Sequence, residues 1–173
     1  ALVASARRLE KMGADFIVIP CNTATYFLPP VRQKISLPIY TPVSALVKIL
    51  KGQTAGLKRL ALLATTGTVA AGIYQRKLAG TGLKLVLPDR NQQEEVMQAI
   101  YAVKAGRELR SVRKILLKVV AEMKQRKKIE AVIAGCTEIP LAVKAADLPV
   151  PLIDAGEALA RMTVELALGR KLC

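Results

Sequence analysis

The chain has 173 residues, of which 52% are hydrophobic and only 3% aromatic, and it carries a formal net charge of +14. It contains no histidine and three cysteines without C-x-x-C spacing, which excludes histidine-dependent catalysis and disfavours a structural zinc site or a disulfide framework. The hydrophobic residues are mostly Ala, Val, Ile and Leu, which is typical of buried parallel strands under helices. We therefore expect an α/β protein with reduced thiols and no metal site.

No stretch of the sequence has the pattern of a targeting or membrane-spanning segment. Its apolar runs stay well short of the roughly 18 residues that cross a bilayer. The first residues also lack the basic-then-apolar order of a signal peptide. We therefore expect a cytoplasmic protein without a membrane partner.

The positive charge is concentrated between residues 104 and 128. A basic surface is typical of proteins that bind nucleic acid or an anionic substrate. In this stretch, however, apolar residues recur at helical spacing, namely Val112, Ile115, Leu116, Val119, Val120 and Met123. We interpret the basic residues as the solvated face of an amphipathic helix, and we expect no nucleic-acid partner.

The spacing of the apolar residues and the positions of Gly and Pro predict the elements in chain order. The first part contains a helix over 1–12, a strand over 15–20, a loop over 21–26, a helix over 29–35 and a strand over 38–40. After a hinge at Pro42 come a helix over 43–50 closed by Gly52, a strand over 59–64, a turn over 65–68 and a helix over 69–78. Next are a strand over 83–87, a helix that begins at the cap Asn91 and ends near 104, and a helix over 111–127. The last part contains a strand over 131–134, a loop at Cys136, a helix over 141–146, a strand over 151–153 and a helix over 156–168.

Two stretches of the chain share the same local order, ADFIVIPCNTA at 14–24 and IEAVIAGCTEI at 129–139. In each, an apolar run of strand length leads to Pro or Gly, then to a cysteine, then to short polar side chains, which argues for duplication. The halves are unequal, because much less chain precedes the first copy than the second. We therefore predict two pseudo-symmetric parallel-sheet α/β domains, the first incomplete at its N-terminal side. Their predicted boundaries are 1–41 with 150–173 for the first domain and 42–149 for the second.

The two cysteines, Cys21 and Cys136, each follow a predicted buried strand. The carboxyl ends of parallel strands and the helix N-termini beside them favour anions, including a thiolate. A single cysteine at such a place is also compatible with a small buried hydrophobe, but two at equivalent places favour a functional pair. With no histidine and no cofactor fingerprint, the pair suits racemisation, in which one thiolate removes a proton and the opposite thiol returns one. Asn22, Thr23 and Thr137 would then hold the substrate carboxylate.

Four motifs occur in a fixed order, PCNTA at 20–24, LLATTGT at 62–68, IYAVKAG at 100–106 and AGCTEIPL at 134–141. Together they resemble the cofactor-independent aspartate/glutamate racemase family, and most closely its aspartate racemase branch. The resemblance implies an isomerase that needs no pyridoxal phosphate or other cofactor and acts on an acidic amino acid. It also implies a two-domain α/β fold with the active site between the domains, and a homodimer for the full-length protein.

The resemblance assigns site residues by motif. Cys21 and Cys136 correspond to the catalytic pair, and the substrate-binding residues correspond to Asn22, Thr23, Thr65, Thr66, Thr68, Lys104, Thr137 and Glu138. Within this set, Lys104 is the basic residue expected to face the side-chain carboxylate of the substrate. From the residues alone, Glu138 suits either a substrate ammonium or the cap of the following helix. Tyr101, on the helix of Lys104, is expected in the core.

The sequence departs from the family pattern in two places. Thr25 stands where the family usually has histidine. The family's opening strand with its Gly-rich turn, and an arginine upstream of the first cysteine, have no counterpart. We therefore expect the first domain to be truncated, so that activity of the 173-residue chain is an open question.

Two other functions remain open. One is a related two-cysteine isomerase, such as a hydantoin racemase or a maleate isomerase, although Lys104 and the TTGT turn favour a dicarboxylate. The other is a non-catalytic fragment that binds anions. Dependence of activity on both thiols would support an enzyme, whereas salt-dependent retention on nucleic acid would support the binding module.

Overall fold

A computed structural model of the chain describes residues 1–53 and 56–170. The strands in these residues are β1 (Ile17–Val18), β2 (Ile39–Tyr40), β3 (Arg59–Leu63), β4 (Lys84–Val86), β5 (Ala131–Ala134) and β6 (Leu152–Asp154). The α-helices are α1 (Leu2–Lys11), α2 (Pro29–Arg32), α3 (Pro42–Gln53), α4 (Thr66–Ala70), α5 (Ile73–Leu78), α6 (Arg90–Lys104), α7 (Leu109–Lys127), α8 (Ile139–Ala142) and α9 (Ala155–Ala167). Short 3₁₀ helices span Thr23–Phe27 and Ala145–Asp147.

The strands form two parallel sheets of different size. The larger has the order β4-β3-β5-β6, and the smaller contains β1 and β2. In the larger sheet the register pairs Leu60 with Ala131 and Leu63 with Ala134. Parallel strands joined by helices confirm the predicted α/β class.

The central strand β3 is buried on both faces. Its Ala61 and Leu63 lie in a core cluster with α6, α7 and β5, whereas Leu60 and Leu62 lie in a second cluster with α3 and α5. Helices on both faces leave no position for a polar side chain, which explains the continuous apolar run in the sequence.

The basic stretch near the middle of the chain forms the amphipathic helix that the spacing predicts. The buried residues of α7 are Val112, Leu116, Val119, Val120 and Met123. Basic residues such as Arg110 and Lys114 are exposed on the same helix. The apolar stripe therefore packs on the sheet while the charged face meets solvent.

Several predicted boundaries are wrong, each for a local reason. Pro42 is not a hinge but the first residue of α3, where a proline without an N–H is tolerated. That helix continues past Gly52 to Gln53. The predicted helix over 69–78 is interrupted at Gly72, which has a φ of 60° and separates α4 from α5.

The predicted turn over 65–68 and the predicted cap at Asn91 also need correction. Thr65 is the N-cap of α4, whose first turn begins at Thr66. Asp89, not Asn91, caps α6, because the Asp89 carboxylate accepts from the Gln92 N–H at 2.9 Å and the Gln92 side chain accepts from the Asp89 N–H at 3.1 Å. This reciprocal pair is a capping box.

The last part of the chain joins the two sheets. The prediction grouped residues 150–173 with the first domain, but β6 pairs with β5 in the larger sheet, with Ile153 opposite Ile133. The following helix α9 then packs beside α3, and Val18 and Tyr40 of the smaller sheet lie against the same cluster. β6 therefore belongs to the sheet of the predicted second domain. The reason is that β3 pairs with one edge of β5, which leaves the other edge for β6.

None of the helices in the described part of the chain combines the length with the apolar character needed to cross a bilayer.

The end of β5 comes very close to β3. The Gly135 N–H donates to the Leu63 carbonyl at 2.8 Å. A Cβ at Gly135 would lie 2.7 Å from Leu62 Cδ1 and 3.1 Å from the Leu63 carbonyl oxygen. The backbone oxygen cannot move without disturbing the strand, so only glycine fits here.

We expect Gly135→Ala to lower the free energy of unfolding by about 1–3 kcal/mol, because the added methyl group overpacks the β3–β5 contact. Urea denaturation followed by circular dichroism would measure the change. Gly67→Ala is the matched control, since its Cβ would meet Thr23 Cγ2 at an ordinary 3.7 Å and alanine favours the helix by up to about 1 kcal/mol. Equal destabilisation by both substitutions would contradict the overpacking argument.

Candidate active site

The first cysteine motif follows β1 and is attached to α5. The Cys21 N–H donates to the Ile19 carbonyl at 2.8 Å, and the Cys21 thiol is exposed. Its neighbour Asn22 is only 5% exposed, and the Asn22 Oδ1 accepts a hydrogen bond from the Tyr74 hydroxyl at 2.6 Å. The exposed Cys21 thiol therefore lies next in the chain to the Asn22 amide, whose position is held by its hydrogen bond to Tyr74.

Three threonine hydroxyls connect the first motif to α4. Thr23 Oγ1 lies 2.7 Å from Thr68 Oγ1 and 3.2 Å from Thr65 Oγ1, and the last two are 3.0 Å apart. Thr68 is fully buried, so its hydroxyl holds the other two instead of facing solvent. Thr66 does not join this threonine cluster: its hydroxyl oxygen lies 3.5 Å from Gln93 Nε2, and its backbone N–H donates to Met97 Sδ at 3.2 Å.

The second cysteine motif carries a compact polar cluster. The Cys136 thiol donates to Glu138 Oε2 at 2.8 Å, and the Thr137 hydroxyl donates to the same oxygen at 3.0 Å. Lys104 Nζ lies 3.7 Å from the other carboxylate oxygen of Glu138. The structure therefore brings together three of the predicted substrate-binding residues around Cys136.

The pKa values in this cluster are shifted in opposite directions. Burial, followed by the hydrogen bond to Glu138, raises the pKa of Cys136 to about 12, although the charge of Lys104 acts against the rise. Burial also acts to raise the pKa of Glu138, but hydrogen bonds from Cys136, from its own backbone and from Thr137 outweigh it and lower that pKa. At neutral pH the pair is therefore a neutral thiol and a carboxylate.

The side chain of Glu138 does not cap the following helix. Glu138 is the N-cap residue of α8, yet its carboxylate makes no capping hydrogen bond, because it contacts Cys136, Thr137 and Lys104 instead. The capping interpretation of Glu138 is therefore wrong.

No sequence pattern indicates a role for Tyr74 in the site. This residue is fully buried, and burial first, then the charges of Asp154 and Cys136, raise its pKa above the ordinary value for tyrosine. Tyr74 is hydrogen-bonded to Asn22 of the first motif. Tyr101, by contrast, is 62% exposed, so the expectation that it lies in the core is wrong.

An open depression borders the threonine cluster. Its volume is about 550 Å³, and its lining residues are Thr23, Tyr26, Phe27, Gly67, Ala70, Ala71 and Arg76. The Thr25 hydroxyl, at the position where the resemblance leads one to expect histidine, is buried without a hydrogen-bond partner in the described part of the chain. Thr23 belongs to both the depression and the threonine cluster, whereas neither cysteine is among the lining residues.

We expect iodoacetamide to alkylate Cys21 faster than Cys136 by tenfold or more, on the order of magnitude set by thiolate content and access. Cys21 is exposed, whereas Cys136 has a pKa of about 12, so that roughly one thiol in ten thousand is ionised at pH 8. Peptide mass spectrometry over time would measure both rates, in a Cys173→Ser background because Cys173 lies outside the described residues.

Glu138→Gln is the informative variant in this assay. Removing the carboxylate should lower the pKa of Cys136 and speed its alkylation, by about three- to tenfold, because a neutral amide repels the thiolate less. Glu157→Gln on α9 removes an exposed carboxylate from the ion pair with Arg161 and should leave the rate unchanged. A slower reaction of Cys136 in Glu138→Gln would contradict the assigned hydrogen bond.

Known proteins similar to this chain include several racemases. A family model described as Asp/Glu/Hydantoin racemase matches residues 1–163. The broad specificity amino-acid racemase RacX of Bacillus subtilis is 30% identical over 164 residues, which cover 95% of this chain and 70% of RacX. The glutamate racemase of Shewanella pealeana is 31% identical over 164 residues, which cover 90% of this chain and 58% of that protein. The structure of Picrophilus torridus aspartate racemase matches with a TM-score of 0.81 and 28% identity, over 99% of this chain and 70% of that one.

Proposed function

The chain belongs to the Asp/Glu/hydantoin racemase family, and we propose that it inverts the α-carbon of an acidic amino acid, aspartate or glutamate, without a cofactor. Cys21 and Cys136 are the two acid–base groups in this proposal. The observation that carries it is the hydrogen bond from the buried Cys136 thiol to Glu138, because burial and this bond together raise the pKa of the thiol and keep it protonated, ready to act as an acid.

The proposed reaction conserves protons and electrons between the two thiols. The Cys21 thiolate takes the proton from the α-carbon, and the electron pair of the broken C–H bond stays on that carbon and spreads into the carboxylate. The Cys136 thiol then gives its proton to the opposite face, and its S–H electron pair remains on sulfur. One turnover therefore leaves Cys21 as a thiol and Cys136 as a thiolate, which is the starting state for the reverse direction.

The negative charge that develops on the substrate needs hydrogen-bond donors. The amide of Asn22 and the hydroxyls of Thr23 and Thr137 are short polar groups beside the two cysteines, and donors fixed in advance stabilise such charge. Thr65 lies in the threonine cluster with Thr23, so it supports the same side of the site. The facing arrangement of the two sulfurs stays a prediction of this mechanism.

Glu138 and Lys104 have complementary parts in the proposal. The Glu138 carboxylate favours the protonated form of Cys136, which suits the step in which that thiol is the acid. In the reverse direction Cys136 must be a thiolate, and the positive charges of Lys104 and of the substrate ammonium would offset the repulsion from Glu138. The same carboxylate is therefore proposed to orient the ammonium.

The proposed cellular location follows from the two-thiol chemistry, and the proposed oligomeric state follows from the family. Cys21 and Cys136 are unpaired thiols in the structure, and a two-thiol mechanism requires a reducing compartment, for which the cytoplasm is the proposed location. A homodimer is proposed from the family resemblance.

We expect Cys21→Ala and Cys136→Ala each to abolish racemisation, because each thiol serves one face of the substrate. Any remaining exchange of the α-proton in heavy water should retain configuration and be confined to one enantiomer, the opposite one in the two variants. Proton NMR from L- and D-aspartate separately, with the full gene product, would measure exchange and polarimetry would measure inversion.

Cys173→Ser is the control for this experiment and should racemise as the wild type does. Racemisation at the wild-type rate by either alanine variant would rule out the two-base mechanism. The paired cysteines would then need an explanation in packing.

We expect Lys104→Met to lower kcat/KM for aspartate by about tenfold, while a monocarboxylic amino acid is affected much less. The reason is the loss of a charged hydrogen bond to the second carboxylate, at the low end of its range because Lys104 is half exposed. Lys114→Met, on the exposed face of α7, is the matched control. An equal loss for both substrates would assign Lys104 to the cysteine cluster and not to specificity.

A further inference from the structure

The buried hydrogen bond between Tyr74 and Asn22 links two elements that are far apart in the sequence. Tyr74 lies on α5 and is fully buried, and Asn22 is 5% exposed. Their side chains meet at 2.6 Å, with the tyrosine hydroxyl as donor and the amide oxygen Oδ1 as acceptor. A phenol proton and an amide oxygen in such a place are costly to leave unpaired, so this contact has one strongly preferred geometry.

This geometry decides which end of the Asn22 amide is available. A side-chain amide has an acceptor oxygen and a donor NH₂ group on the same carbon. Tyr74 is a donor and therefore holds the oxygen. If the amide turned over, its NH₂ group would donate to the phenol oxygen, and the tyrosine proton would lose the Oδ1 acceptor that it has in this structure. The NH₂ group is thus directed away from Tyr74.

We propose that Tyr74 is a positioning residue for the racemase reaction, which fixes the Asn22 amide so that its NH₂ group faces the substrate carboxylate beside Cys21. This inference rests on the proposed function, since the amide donor is useful only if a carboxylate binds there. Tyr74 itself touches no reacting atom in the proposal.

Two observations support a constant donor role for Tyr74. Its raised pKa, caused first by burial and then by the charges of Asp154 and Cys136, keeps the hydroxyl protonated at any working pH. The aromatic ring of Tyr74 is also packed in the apolar cluster with β3 and β5, which holds the hydroxyl in a fixed position.

A double-mutant cycle between Tyr74 and Asn22 tests the proposal. Tyr74→Phe should lower kcat/KM for aspartate by about tenfold in the wild-type background, because the freed amide no longer has one orientation. In the Asn22→Ala background the same substitution should change kcat/KM by less than about twofold, because the amide that it orients is gone. Tyr40→Phe, on β2 where the ring meets Phe16 edge-on, is the matched control and should change little in either background.

A second variant keeps the test independent of folding. Replacing Tyr74 by 4-aminophenylalanine retains a donor on the same ring, and kcat/KM should recover to within about threefold of the wild type. Circular dichroism melting of every variant would establish that the folded protein is being assayed. A merely structural role would lower the melting temperature without the non-additive loss of kcat/KM.

The outcomes separate this inference from the proposed function. Additive effects of Tyr74→Phe and Asn22→Ala, or an aminophenylalanine variant no more active than Tyr74→Phe, would overturn the positioning role while the racemase function stands. Absence of racemisation by the wild-type gene product with acidic amino acids would overturn the proposed function and this inference together.

Discussion

The close contact between the ends of β3 and β5 is the constraint on which the site depends. The Gly135 N–H donates to the Leu63 carbonyl at 2.8 Å, and the space beside it admits no side chain. One residue after this contact comes Cys136, and two residues after Leu63 comes Thr65, the N-cap of α4. Because parallel strands end at the same edge of a sheet, this backbone hydrogen bond puts the segments that carry Cys136 and Thr65 at the same edge.

The polar groups around Cys136 contribute to protonation more than to stability. The ion pair of Lys104 and Glu138 joins a half-exposed lysine to a mostly buried carboxylate at 3.7 Å, and exposed pairs are worth about 0–1 kcal/mol. Its main effect is on the thiol, since burial and Glu138 raise the pKa of Cys136 while Lys104 opposes the rise. The cluster therefore sets the protonation state of this thiol, a property that a stability measurement would miss.

The first cysteine motif is held in a different way from the second. β1 and β2 contain two residues each, so this motif receives little support from its own sheet. It is connected by side chains to two helices that follow β3, through Asn22 to Tyr74 on α5 and through Thr23 to Thr68 on α4. Polar contacts of this kind are directional, because a hydrogen bond weakens steeply when its angle changes. They orient the residues beside Cys21 more sharply than apolar packing alone would.

The sequence by itself determined the α/β class, the parallel strands and the two cysteine positions, since apolar runs and helical spacing are local properties of the chain. Only the tertiary structure decided that β6 joins β5, that Thr68 is buried and that Tyr74 holds Asn22. These outcomes depend on which hydrogen-bonding edge is free and which side chains meet across 45 or 52 positions. Local periodicity carries no information about such long-range contacts, because they form only when the helices pack on the sheet.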